Sequence, residues 1–133
     1  MDVRQLNIWA ILAATVSAFV VGGLWYSVLF GKAWMRANGF TEADAPKGNG
    51  KTFAIAFLLT LVMAFNLAMF LNDPKTTTAW GATAGFLAGF GWIAMGIGVV
   101  AVFEKKPLSY VLVNGGYMTV ALVLMGAIIG IWR

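Results

Sequence analysis

Charged residues divide this chain into four long uncharged stretches. All 14 charged positions lie outside residues 5–31, 52–72, 76–103 and 107–132, which together hold 102 of the 133 residues. A helix rises about 1.5 Å per residue, so roughly 20 apolar residues cross the hydrocarbon of a bilayer. Each stretch is therefore long enough to span a membrane.

The spanning structure follows from backbone hydrogen bonding. Lipid offers no partner for N–H and C=O groups, so only helices and closed barrels cross it, and runs such as FLLTLVMAF lack the alternation of a barrel strand. One proline falls in each connection, at Pro46, Pro74 and Pro107. We predict an all-α polytopic membrane protein: one domain over residues 1–133, a four-transmembrane-helix bundle with helices at about 6–30, 52–71, 78–103 and 108–132.

Composition supports a membrane environment. The chain is 61% hydrophobic and 11% charged, with mean hydropathy +0.85, whereas a soluble domain has about 25% charged residues. The first stretch is too long for a secretory signal and ends in LWYSVLFGK rather than at a small-residue cleavage site, so we expect the first helix to be retained.

The basic residues predict an orientation. Four crossings place Arg4, Lys75 and Arg133 on one side and twice as many basic residues on the other. Because Lys and Arg in short loops favour the cytoplasm, we expect loops one and three to be cytoplasmic and both termini outside. The net charge of +4 is then a topology signal with some attraction for anionic lipid, and the scattered basic residues do not predict nucleic-acid binding. The richer side holds Lys32, Arg36, Lys47, Lys51, Lys105 and Lys106.

Small residues recur at intervals of four in several of the predicted helices. Missing side chains let helix backbones approach closely where lipid supplies no hydrophobic force, so these positions predict packing seams and self-association. The third helix has six glycines, which makes it the candidate central helix or subunit interface, and leucine at Gly85 should disrupt assembly. The seam positions are Ala14, Ala18 and Gly22, then Gly81, Gly85 and Gly89, and finally Gly126 and Gly130.

Polar side chains within the predicted helices fall at three depths, counted at about 1.5 Å per residue. Asparagine amides in lipid hold helices together with roughly 0.6 to 2 kcal/mol, and buried Tyr and Trp fill cores. The alternative for each is a ligand contact or a hydrated path for a small solute. The inner layer holds Tyr26, Ser27 and Asn114, the outer layer Asn66 and Thr83, and the mid-membrane positions Trp92 and Tyr117.

The first loop predicts a short helix at the membrane surface. Lys32 and Arg36 share one helical face, Trp34 lies on another, and the Asn-Gly pair ending at Gly39 is typical of a helix stop. This helix is either an interfacial anchor or a docking surface for a partner or lipid headgroup.

Catalytic chemistry has little support. The chain has no His and no Cys, which removes the commonest general base, the thiolate nucleophile and the usual zinc and haem ligands. Its five carboxylates lie outside the predicted helices, which also disfavours ion-coupled transport. We predict no catalytic residue, no metal site, no cofactor and no enzymatic activity. The carboxylates are Asp2, Glu42, Asp44, Asp73 and Glu104.

Two segments carry a family resemblance. GGLWYSVLFGKAWMRANG, residues 22–39, and the closing helix KPLSYVLVNGGYMTVALVLMGAIIGIW resemble the bacterial membrane family known as domain of unknown function 1761. The resemblance implies a four-helix protein of the bacterial inner (cytoplasmic) membrane, and it implies no activity and no functional residue.

Two functions remain open. The first is a non-enzymatic membrane protein that self-associates or supports another complex, with membrane lipids and further copies of the chain as partners. The second is a passive channel or small uncoupled transporter for a small neutral solute or anion, whose path passes Asn66, Asn114, Tyr117 and Trp92. The sequence identifies no other protein partner.

Overall fold

The computed structural model describes residues 3–132, so Met1, Asp2 and Arg133 lie outside the described residues. A short 3-10 helix, Val3–Gln5, precedes the first long helix. The longer elements are α1 Ile8–Leu24 with a π-helical continuation Trp25–Leu29, α2 Gly31–Asn38, α3 Gly50–Phe70, α4 Thr78–Ala88, a π-helical segment Gly89–Ala94, α5 Met95–Phe103 and α6 Leu108–Ile131.

These elements make four continuous helices that are long and apolar enough to cross a membrane. We call Ile8–Leu29, Gly50–Phe70, Thr78–Phe103 and Leu108–Ile131 spans 1 to 4. No residue from 3 to 132 is in a β-strand. The structure thus confirms the predicted all-α fold with a short helix in the first loop, and no predicted helix end is wrong by more than two residues.

Polar side chains start three of the spans. Asn7 accepts hydrogen bonds from the N–H groups of Trp9 and Ala10, Asn49 accepts one from Thr52 N–H, and Thr77 caps span 3 in the same way. Such caps satisfy backbone donors that a helix start leaves unpaired. Asn7 also donates to the Trp132 carbonyl at 3.1 Å, which ties the start of span 1 to the end of span 4.

Span 4 lies at the centre of the bundle. It packs against spans 1 and 3 over much of its length and touches span 2 and α2. Its buried residues lie all along the helix, from Val113 to Gly130, whereas span 3 buries a smaller part of its length. Of the two alternatives predicted for span 3, the central position thus belongs to span 4 instead, because Gly81, Gly85 and Gly89 serve one contact, with span 4.

That contact joins two backbones directly. A Cβ added to Gly81 would lie 2.0 Å from the Gly126 carbonyl oxygen, and one added to Gly85 would lie 2.0 Å from the Leu122 carbonyl oxygen. At Gly89 the nearest atom is the Thr119 Cα, 2.8 Å away. The glycines at intervals of four thus face span 4 of the same chain, where no side chain has room.

Span 2 packs along only half its length. Its buried residues, Ala64, Leu67 and Ala68, lie in the second half, where they meet Ala14 and Ala18 of span 1. The first half diverges from the bundle and leaves large apolar side chains exposed, such as Leu59 at 63%. An opening therefore separates the start of span 2 from spans 1 and 4.

The span 3 to span 4 contact makes Gly85→Leu a test of the fold of one chain. A leucine there must displace the span 4 backbone, and overpacking of this kind costs about 1 to 3 kcal/mol or more. We expect a much lower free energy of unfolding, measured by denaturant titration in mixed micelles.

Gly23→Leu is the matched control, because a Cβ at Gly23 has no atom within 4 Å. Equal loss of stability in both variants would contradict the assigned contact.

Candidate functional site

The predicted inner polar layer joins spans 1 and 4. The Tyr26 hydroxyl donates to Asn114 Oδ1 at 2.7 Å, and Asn114 Nδ2 donates to the Tyr110 carbonyl one turn earlier at 3.0 Å. The second bond orients the amide so that its oxygen faces Tyr26. The structure thus brings together two of the three residues predicted for this layer.

Ser27 is placed differently. Its hydroxyl donates to the Gly23 carbonyl of its own helix, and the residue is exposed. Serine hydroxyls within helices often donate to the carbonyl four residues earlier. Ser27 therefore takes no part in the link between the spans, although it borders the opening next to span 2.

Tyr117 forms a second link between spans 1 and 4. Its hydroxyl donates to the Ala18 carbonyl at 3.0 Å, and its ring lies 5.4 Å from that of Tyr26, centroid to centroid. Gly22 makes room for the phenol, since a Cβ there would lie 3.2 Å from the Tyr117 hydroxyl oxygen. The predicted seam position Gly22 thus accommodates a side chain rather than a helix backbone.

Trp25 forms a third link. Its indole Nε1 donates to the Val113 carbonyl at 2.8 Å, and its ring fills the space left by Gly116. Trp25 also begins the π-helical segment, in which Phe30 N–H donates to the Trp25 carbonyl at 2.7 Å. π-Helical turns are rare and occur often at functional sites. This end of span 1 is therefore unusual in backbone as well as in side chains.

The short helix α2 covers the same end of the bundle. Trp34 packs edge-on against Tyr26, with ring centroids 6.1 Å apart, and also against Phe40. Lys32 and Arg36 are exposed. Helix α2 ends at Gly39, which adopts the left-handed conformation at φ 71°. The aromatic face of α2 thus contacts the inner layer, and its basic face points away from the bundle.

The opening beside span 2 is the candidate site, and we call it the side cleft. It has a volume of about 570 Å³, within the usual 300 to 1,000 Å³ of small-molecule sites. Most of its wall is apolar and comes from spans 1, 2 and 4. Its apolar side chains include Phe19, Phe53, Leu59, Met63 and Met118, and its four hydroxyls belong to Tyr26, Ser27, Thr60 and Tyr117.

The predicted outer layer is not assembled as a unit. Thr83 donates to the Ala79 carbonyl on span 3, while Asn66 lies with Trp92 in a separate groove of about 180 Å³ between spans 2 and 3. Trp92 is 71% exposed, so it does not fill the bundle core. Thr83 and Asn66 thus have different surroundings, and Trp92 lines a surface groove, which corrects its assignment to the core.

The arrangement in the side cleft can bind and orient a ligand. It presents hydroxyl oxygens on apolar walls, and no ionisable acid or base of the described residues lines it, apart from the two phenols. Neutral polar groups of this kind fix the orientation of an amphipathic molecule.

Sequence reasoning missed several residues of this site. Nothing local marks Phe19, Phe53 or Met63 as cleft-lining, because they border an opening set by the path of span 2. The one available signal was Gly116, whose missing side chain leaves room for the Trp25 ring.

Comparison with known proteins gives one match. A family described as "Protein of unknown function (DUF1761)" matches residues 9–130. No curated protein matches the chain, and no solved structure matches it. The family match covers most of the chain and confirms the resemblance found in the sequence.

The Tyr26 to Asn114 bond predicts the effect of Tyr26→Phe. The ring contacts remain, but Asn114 loses a donor, and a hydrogen bond between membrane helices contributes about 0.6 to 1.7 kcal/mol. We expect the free energy of unfolding in mixed micelles to fall by that amount.

Tyr110→Phe is the control, since its ring lies under the Lys106 ammonium and outside the side cleft. A Tyr26→Phe protein as stable as wild type would show that the bond does not hold the spans together.

Proposed function

This chain belongs to the DUF1761 family of proteins of unknown function, and we propose that it is a non-enzymatic accessory membrane protein that holds an amphipathic molecule of the bilayer in the side cleft. The observation that carries the proposal is the cleft itself: about 570 Å³, apolar walls, and four hydroxyls. A site of this size and polarity suits a molecule with a long apolar part and a small polar group.

The path of span 2 supports entry from the side. Its first half makes few contacts with the bundle, and the residues facing away from the cleft, such as Leu58 and Val62, are exposed apolar side chains. Lipid tolerates such surfaces at no hydrophobic cost, so the opening can face the bilayer. A membrane-soluble ligand would reach the cleft without crossing water.

The hydrogen bonds of the cleft hydroxyls support a non-enzymatic role. Activated nucleophiles need an adjacent base, whereas Ser27 and Thr60 donate to carbonyls of their own helices. With no His or Cys in the chain, binding is the simpler role.

We place the protein in a bacterial inner membrane with loops one and three in the cytoplasm and both termini outside. The support is the excess of Lys and Arg in those loops, and the side cleft then opens in the cytoplasmic half of the bilayer.

A matched pair of glycine variants tests the cleft. Gly23 lines it and has no atom within 4 Å of an added Cβ, so Gly23→Leu fills part of the opening without a clash. An aryl diazirine with a long alkyl tail, photolysed in proteoliposomes, should label Met63 and Met118 in the wild type and label them much less in Gly23→Leu.

Gly96→Leu is the control, because Gly96 is equally free of neighbours but lies outside the cleft. Unchanged labelling of both methionines in Gly23→Leu would rule out the cleft as a binding site.

Self-association is a second candidate, favoured by a different observation. The glycines that face span 4 are occupied within the chain, but Gly91 and Gly96 of span 3 are exposed and have no atom within 4 Å of an added Cβ. Small residues on an outer helix face allow close approach of another helix. We propose that this face of span 3 contacts a second copy.

The same two variants test self-association with their roles exchanged: Gly96→Leu is now the test and Gly23→Leu the control. Because the chain has no Cys, a Lys47→Cys background can be labelled at one position and energy transfer measured between copies in proteoliposomes. We expect Gly96→Leu to lower the transfer and Gly23→Leu to leave it unchanged. Transfer unaffected by Gly96→Leu would exclude this face.

A passive channel has weaker support. The polar groups of the inner layer bond to one another and to carbonyls, whereas Asn66 belongs to the separate groove between spans 2 and 3. A conducting path needs polar groups that line one continuous route.

A further inference from the structure

We propose that the polar group held in the side cleft is a neutral hydrogen-bond donor, a hydroxyl, which donates to the phenol oxygens of Tyr26 and Tyr117. This inference rests on the proposed function of the cleft and names the chemical class of its ligand. The ligand is then a long-chain alcohol or a lipid with a free hydroxyl, rather than an acid, an ether or an amine.

The proton of Tyr117 is already committed. Its partner is the Ala18 carbonyl at 3.0 Å, and a carbonyl can only accept a hydrogen bond. The Tyr117 hydroxyl must therefore donate to span 1, and what it offers the cleft is a lone pair.

The proton of the Tyr26 hydroxyl is also committed, because Asn114 presents an acceptor to it. The Asn114 side-chain amide is oriented by the hydrogen bond that its Nδ2 donates to the Tyr110 carbonyl at 3.0 Å. That orientation leaves Oδ1, an acceptor, facing Tyr26 at 2.7 Å. Tyr26 therefore donates to span 4 and, like Tyr117, offers the cleft only an acceptor.

The two remaining hydroxyls follow the same pattern. Thr60 donates to the Ala56 carbonyl at 2.8 Å, and Ser27 donates to the Gly23 carbonyl. All four hydroxyls that line the cleft thus direct their protons into the protein. A ligand carbonyl, ether or carboxylate oxygen at this level would meet acceptors with an acceptor, whereas a hydroxyl supplies the missing proton.

Charge argues against a cationic donor. No carboxylate lines the cleft, and an unpaired ammonium within the membrane is costly. The end of the bundle that carries loops one and three has six basic residues against three acidic ones, so it also repels a cation. A neutral hydroxyl satisfies both conditions.

Two probes of the same length test the inference by competition with the diazirine label at Met63 and Met118. The probes are 1-dodecanol and methyl undecyl ether, which have the same number of non-hydrogen atoms, added to the full-length protein in proteoliposomes. Because one hydrogen bond contributes roughly 0.5 to 1.5 kcal/mol, we expect the alcohol to displace the label at a concentration about twofold to tenfold lower than the ether.

Phenol variants assign that difference to its acceptors. Tyr117→Phe and Tyr26→Phe should each bring the alcohol closer to the ether in potency, while Tyr110→Phe, outside the cleft, should leave the difference intact. Continued labelling of Met63 and Met118 in each variant shows that the cleft is still folded.

Equal potency of the two probes, or higher potency of the ether, would overturn the hydroxyl assignment while leaving the cleft as a binding site. Failure of both probes to displace an existing label would also overturn it. Absence of any Gly23-sensitive label in the wild type would instead overturn the proposed function.

Discussion

Spans 3 and 4 meet backbone to backbone, and the rest of the bundle is arranged around that contact. Carbonyl oxygens of Gly126 and Leu122 occupy the space that Cβ atoms would need at Gly81 and Gly85. In lipid, where the hydrophobic effect does not drive helices together, such close approach is a main source of attraction. It commits one face of span 4 to span 3 and leaves the other for span 1.

The second face of span 4 is held by directional bonds. Trp25, Tyr26 and Tyr117 each connect spans 1 and 4 through a single polar atom. In a medium with few competing partners, an unpaired donor would be costly, so each proton is directed to an acceptor inside the protein. The same bonds leave the side cleft with acceptors only. The bonds that hold the bundle together thus also determine the hydrogen-bonding character of its candidate site.

Span 2 explains why the bundle is not closed. Ala64 and Ala68 lie in its second half and pack against span 1, whereas Phe53 and Leu59 in its first half line the side cleft. Large side chains hold helices apart, and lipid covers them without penalty. Divergence of span 2 therefore begins where its contact through Ala64 and Ala68 ends. It produces the side cleft beside the first half of the helix, whereas the groove containing Asn66 and Trp92 lies beside the second half.

The sequence alone determined the number of helices, their ends to within two residues, and the absence of charge from their interiors. Each follows from the cost of moving a residue or a backbone group into lipid, which is local. The pairing of Tyr26 with Asn114 was also within reach, since depth can be counted along a helix. The central position of span 4, the exposure of Trp92 and the opening of the side cleft were decided only by the tertiary structure. Helices in lipid associate by shape, and shape depends on which distant residues face one another, as Gly85 faces Leu122.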